Sequence, residues 1–325
     1  MMKKTLLGLL CVSVLLLAGC GGQKAPEQAA KDKYPKKEIQ LVVPFGAGGA
    51  SDATSRIVAK GMEEKLKVPI VINNKTGGTG VVGMSFVQTS AKDGYTFGYI
   101  PVELTMLKSL GLTDLEPSKF DMIGRAMVLP AAITVHADAP YNTIEEFLDY
   151  AKKNPGKVKI GNSGAGSIWH IASTALANKA NVKFSDIPFD GAAPAVTALM
   201  GAHIDAVAVS VPEVMAGIDA KKLKLLAVMG PERDKKFPNV PTLKEKGYDV
   251  EIVGWGGFVV PKGTPDDVKK VLADALKDSV ASESFKKFSA ERGYTAAYMS
   301  SEEFTKFTDA QFKFYSQLIP TMNLK

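Results

Sequence analysis

Two glycine-rich segments hold the residues best suited to chemistry. They are Phe45-Gly46-Ala47-Gly48-Gly49-Ala50-Ser51-Asp52 and Ser163-Gly164-Ala165-Gly166-Ser167-Ile168-Trp169-His170. Each follows a short apolar, β-branched run and precedes a helical one. Glycine lets the backbone turn tightly and approach a ligand, while the helix that starts there offers unpaired N–H groups and a partial positive charge. Such a terminus binds phosphate or carboxylate without a cationic side chain. The first segment is not a P-loop, because no Lys-Ser/Thr pair follows the glycines, and Ser51 stands where GxGxxG needs its last glycine. In the second, Ser163 and Ser167 add hydroxyl donors and Trp169 an apolar wall. The same residues admit a hydrolase reading, with Ser163 as nucleophile, His170 as base and Asp190 or Asp205 as orienting acid. Against it, Ala165 occupies a glycine position of the GxSxG elbow. The chain has three histidines in all, His136, His170 and His203. Their spacing forms no metal-ligand cluster, and no cofactor is expected.

The elements that must position these loops repeat one plan: a β-branched run, a glycine turn, then a helix. Ile39–Val43 leads into the first loop, where Ser51 is expected to cap a helix with Ile57, Val58, Met62 and Leu66 inward. Pro69–Ile72 leads into Gly77-Gly78-Thr79-Gly80 and a helix through Phe86 and Val87. Val158–Ile160 leads into the second loop and a helix starting at Ser167, and Ile187-Pro188-Phe189 leads into Asp190-Gly191 and a helix to Met200. Strands are expected over Ile204–Val209, Leu223–Val228 and Gly254–Val260, and helices over Pro265–Ala281 and Ser301–Ile319. This alternation predicts α/β architecture with parallel sheets and a ligand at the carboxyl ends of the strands. Tyr99–Glu103 ends a strand near that cleft; Glu103 is expected to be solvated there, or to meet an amino group on a zwitterionic ligand.

The amino terminus has its own chemistry. Lys3 and Lys4, an apolar run to Ala18, and Leu17-Ala18-Gly19-Cys20 form an export signal ending at a lipobox-like cysteine. The chain has two cysteines, Cys11 and Cys20. Cleavage before Cys20 removes Cys11, leaving one terminal thiol that no internal disulfide or cysteine metal site can use but an acyl anchor can. Residues 1–19 are thus expected to be a signal peptide, Cys20 the lipidated residue and 20–36 a flexible tether, since that stretch is rich in Gly, Gln, Lys, Ala, Pro and Glu. The body is expected to work outside the cytoplasm, tethered to a bacterial membrane. The formal net charge of +6 is modest for 325 residues and lacks any arginine-rich, aromatic-interleaved stripe for nucleic acid. A weak positive field favours small anions.

The order of these motifs carries a resemblance. PFGAGGASD after a strand, Asn73–Gly83 (NNKTGGTGVVG), Asp93-Gly94-Tyr95-Thr96, Asn154-Pro155-Gly156-Lys157, Asn162–His170, Pro188–Ala195, Pro238–Leu243 and Gly254-Trp255-Gly256-Gly257 resemble the solute receptors of tripartite tricarboxylate transporters, also called Bug proteins. The resemblance covers almost the whole chain after the tether. It implies a two-lobed periplasmic-binding-protein fold of type II-like organisation with a ligand cleft between the lobes. The expected division is residues 37–122 with 247–325 as lobe 1 and 123–246 as lobe 2. It implies a receptor without catalysis that captures a small organic carboxylate, acts as a monomer and delivers the ligand to small and large membrane permease subunits. The ligand-binding residues it implies are Phe45, Gly46, Ala47, Gly48, Gly49, Ser51, Asp52, Thr79, Gly80, Ser163, Gly164, Ala165, Gly166, Ser167, His170, Phe189, Gly191 and Asp205. Asp205 is expected to accept from a water or an amine, or to support a strand end. No arginine lies in either loop, so the carboxylate would be met by amides, hydroxyls and water. A secreted hydrolase, or a protein presenting ligand to a sensor kinase, stays open as an alternative at this stage.

Overall fold

Ile39-Gln40-Leu41-Val42-Val43 is buried at every position but Gln40, as a strand covered on both faces requires, and it forms β1 (Ile39–Val43). The computed structural model describes residues 34–322; the export segment, Cys20 and the tether up to residue 33 lie outside the described residues. The expected tether ends earlier than residue 36. Tyr34 packs edge-on against Tyr95 at 5.1 Å and donates to the Gly94 carbonyl at 2.6 Å, so an aromatic residue fastens the start of the body.

After β1 come α1 (Ala50–Leu66), β2 (Ile70–Asn74), α2 (Val81–Thr89) and β3 (Thr96–Pro101). The long strand β4 (Phe120–His136) follows, then α3 (Ile144–Lys153), β5 (Lys159–Asn162), α4 (Ile168–Ala180), β6 (Ser185–Pro188) and α5 (Ala192–Met200). The chain continues through β7 (Ala206–Ser210), α6 (Val211–Asp219), β8 (Leu223–Val228) and β9 (Val253–Pro261). It ends with α7 (Asp266–Ala281), α8 (Glu283–Arg292), β10 (Thr295–Met299) and α9 (Ser301–Leu318). The cap of α1 is Gly49, so Ser51 lies in its first turn rather than capping it. At α4 the cap is Ser167, whose Oγ accepts from the His170 amide at 3.2 Å.

The strands run in the order β2-β1-β3-β9-β4-β7-β5-β6. Parallel pairing holds where strand and helix alternate, in β2-β1-β3 and in β7-β5-β6. The expectation of purely parallel sheets fails at the centre: β9 is antiparallel to both β3 and β4, and β4 is antiparallel to β7, β8 and β10. One strand thus serves two groups. Residues Phe120 to Pro130 pair with β9, and Ala131 to His136 pair with β7 and β8. Met122, Gly124 and Arg125, at and just past the division expected at residue 122, are still paired with β9, and β4 changes partners at Pro130–Ala131. Proline fits there, lacking the N–H that a continuous ladder would use. The chain returns beside the same point: Met229 N–H donates to Ala131 O, Ile252 N–H to Met229 O and Ala131 N–H to Ile252 O, at 2.7–3.0 Å.

The C-terminal helices complete the first group. Gly61 of α1 faces α7 so closely that a Cβ there would lie 2.3 Å from Ser279 Oγ, which donates to Val58 O at 2.9 Å. Phe304 and Phe307 of α9 meet the Trp255 ring of β9 edge-on, each at 5.4 Å.

Candidate functional site

The two glycine loops line one cavity at the strand ends, and each also meets a further loop: the first meets Asp190-Gly191 and the second meets Thr79. A Cβ built on Gly46 would lie 3.3 Å from Asp190 O, and one on Gly191 would lie 3.7 Å from Gly46 N. Thr79 Oγ1 donates to Ala165 O at 2.8 Å, joining the loop before α2 to the loop before α4. A Cβ on Gly46 would crowd the Asp190 carbonyl, whereas one on Gly191 would sit in ordinary contact. Gly164 adopts φ +127°, where a Cβ would also come within 3.0 Å of Thr79 Oγ1.

The loops enclose an inner cavity of about 40 Å³ and an outer vestibule of about 550 Å³, which share Phe45, Ser163 and Pro194. Of the residues expected to bind ligand, Phe45, Gly46, Gly49, Ser51, Ser163 and Gly191 line the inner cavity. Thr79, Gly80, Gly164, Ala165 and Phe189 line the vestibule. Ala47, Gly48, Asp52, Gly166, Ser167 and His170 line neither and support the loops instead. Asp52 accepts from the Gly48 amide at 3.0 Å, Arg56 Nε at 2.9 Å and Asn74 Nδ2 at 3.0 Å. Burial alone would raise its pKa, but those donors outweigh it and hold the carboxyl below its usual range. His170 Nδ1 accepts from the Gly166 amide at 3.0 Å. That bond commits the nitrogen to its own loop, and no hydrogen bond joins His170 to Ser163 among the described residues. Asp190 is exposed. Of the roles expected for Asp205, the structure supports the strand end and not the ligand: it precedes the amino end of β7, is exposed, and accepts from the Lys159 amide at 2.7 Å at the far end of β5. It supports a strand end and lies outside the cleft.

Two carboxylates line the inner cavity, one buried and one half-buried. Glu103, in the turn after β3, is 2% exposed, so the expectation of a solvated side chain is overturned. Its Oε1 accepts from the Ile168 amide, the first of α4, at 3.0 Å. Glu213, in the first turn of α6, accepts from the Ser210 amide at 2.9 Å and hydroxyl at 2.7 Å, and from the Ala50 amide, the first of α1, at 3.4 Å. The amino ends of α1 and α4, one helix from each strand group, are thus each met by a carboxylate from the other group. Burial pushes Glu103 up from the ordinary 4.5 to about 7, with the Glu213 charge adding to the effect. Burial likewise raises Glu213. Glu213 escaped the sequence reading, although Ser210-Val211-Pro212-Glu213 is a visible capping box after a strand. Tyr99, Leu129, Trp169 and Trp255 supply apolar walls. Two buried donors, Trp255 Nε1 and Asn162 Nδ2, have no partner among the described residues.

This combination of a sheet crossed at one point and a cleft at the strand ends lined by two glycine loops defines a solute receptor of the periplasmic-binding-protein fold. The chain belongs to the tripartite tricarboxylate transporter family receptors (TctC), whose family model matches residues 54–324. A relative from Cupriavidus necator, the UPF0065 protein in the gbd 5' region, is 32% identical over 94% of each chain. A TctC solute-binding protein from Polaromonas is 40% identical, covering 89% of this chain and all of its own, with a TM-score of 0.65. The periplasmic binding protein BugD is 29% identical over 90% of this chain and 99% of its own, with a TM-score of 0.86. The expected fold is present. The family is one of receptors rather than enzymes and places the working compartment outside the cytoplasm.

Proposed function

We propose that this protein captures a small organic carboxylate in the cleft and delivers it, as a monomer, to the small and large membrane subunits of a tripartite tricarboxylate-type transporter. The observation that carries this reading is the lining of the inner cavity by Gly46, Gly49, Ser51 and Ser163, with Gly164 and Ala165 on the adjoining vestibule, within the family's fold. Paired crossings near Ala131 supply a hinge about which the two strand groups close on ligand. Calorimetry with mono- and dicarboxylates, on wild type and on the Gly48→Val, Gly164→Val double variant, tests the reading. Gly48 and Gly164 adopt φ +86° and +127°, which valine resists. Binding is expected to fall at least tenfold in the double variant, about the worth of one hydrogen bond to a charged group. Undiminished binding would place the ligand elsewhere.

Anchoring is part of the proposal. Acylation of Cys20 would hold the receptor beside the permease and raise the local concentration of released ligand. In cell fractionation, Cys20→Ser is expected to appear as a soluble or unprocessed form; a variant still processed at the same place and still membrane-bound would refute the anchor.

A further inference from the structure

We propose that the ligand of this cleft carries a protonated amino group in addition to its carboxylate, with the amino group seated between Glu103 and Glu213. The inference rests on the receptor reading above and names the chemistry of its ligand. Although the chain has a formal net charge of +6, every charged side chain lining the inner cavity is acidic, and these are Glu103 and Glu213 alone. The vestibule adds only Asp190, and no Lys, Arg or His lines either space. The partners of the two glutamates are backbone amides and the Ser210 hydroxyl, with no cation among them. Glu103 is buried and Glu213 half-buried, and the partial charge of a helix amino end is less than the full counter-charge that would offset their desolvation. A dicarboxylate would deepen the deficit, and an ammonium group removes it.

The cavity fits that group in other respects. Tyr99, Trp169 and Trp255 line it, and aromatic faces attract a desolvated cation. At about 40 Å³ it takes an amino group and its first carbon rather than a ring. The carboxylate half has independent support on the same cleft. Trp255 is 3% exposed, lines the cavity and holds an indole N–H without a partner among the described residues; Asn162, one residue before the cavity-lining Ser163, lines neither space itself but is 1% exposed and has an Nδ2 likewise unpartnered. Buried donors left open in this way call for an acceptor. Two acids and an open indole donor on one cavity match the two charges of a zwitterion.

The test is calorimetry on the wild-type protein with matched pairs that differ only in the amino group: β-alanine with propionate, γ-aminobutyrate with butyrate, and glutamate with glutarate. At least one amino member is expected to bind roughly 10- to 100-fold more tightly than its partner, the worth of hydrogen bonds to a charged group. Glu103→Gln and Glu213→Gln, which keep side-chain volume, are each expected to narrow that ratio about tenfold or more. Equal or tighter binding of the acids lacking the amino group would overturn the proposal and leave the receptor reading standing. A preference that survives both glutamine variants would also overturn it. Binding of neither class at millimolar concentration would bring down the receptor reading and the proposal together.

Discussion

Gly257→Val should cost about 3 kcal/mol of folding stability, the upper range for overpacking a filled core. A Cβ at this position would lie 2.4 Å from two ring atoms of Phe304 and 2.7 Å from the Gly124 carbonyl. The carbonyl belongs to β4, the strand on which both groups are built. Phe304 is fully buried, with its ring edge-on to Trp255, so neither neighbour has room to retreat. The φ angle is not positive here, and the penalty is steric rather than conformational. Gly247 is the contrasting position: φ is +84° with nothing within 4 Å of a built Cβ, so Gly247→Ala should cost about 1 kcal/mol from backbone strain alone. Urea unfolding followed by the fluorescence of Trp169 and Trp255 measures both. A loss below about 1 kcal/mol for Gly257→Val would show that the α9 interface yields, contrary to the packing density of protein cores. Because β9 also brings Gly254 and Trp255 to the inner cavity, ligand binding should weaken with stability.

The loops of the site were legible because their signals are local. Gly46, Gly48 and Gly49 after a β-branched run, and Gly164 and Gly166 before Ser167, mark strand-to-helix turns wherever they occur. β4 was not legible. Phe120–His136 contains Gly124, Arg125 and Pro130, has no alternation, and becomes a strand through partners on both sides: β9 and β10 along one half, β7 and β8 along the other. No window of sequence contains those pairings. The same nonlocality hid the character of the cleft. Glu103 reads as a polar residue after a strand and Glu213 as a helix cap. Only folding brings each to the amino end of a helix from the opposite strand group. Asp205 shows the converse case, since an acid next to a strand says nothing about which end of the sheet it occupies.

Those glutamates should make stability fall as pH rises through the neutral range. A carboxyl whose pKa is higher folded than unfolded binds more protons in the native state, so its stabilisation is complete below the unfolded value and is lost above it. For Glu103 the window runs from the ordinary 4.5 to about 7, and the shift corresponds to about 3 kcal/mol. Glu213 is raised as well and acts with the same sign. The ionisable groups that bear on the pair, Tyr99, Tyr294 and Tyr315, are themselves raised by burial and bring no positive charge. Asp52 and Asp121 have lowered pKa values and oppose the trend only in more acid solution, where their contributions are lost. The unliganded protein should therefore melt at a higher temperature at pH 5 than at pH 8, and Glu103→Gln should flatten most of that slope. A wild-type melting temperature that rises from pH 5 to pH 8 would contradict the burial of Glu103 without a cation beside it. A bound ammonium group supplies the missing charge, so saturating amino-acid ligand should flatten the same slope. Its binding at pH 7 should release protons, detectable as a binding enthalpy that changes with the ionisation enthalpy of the buffer.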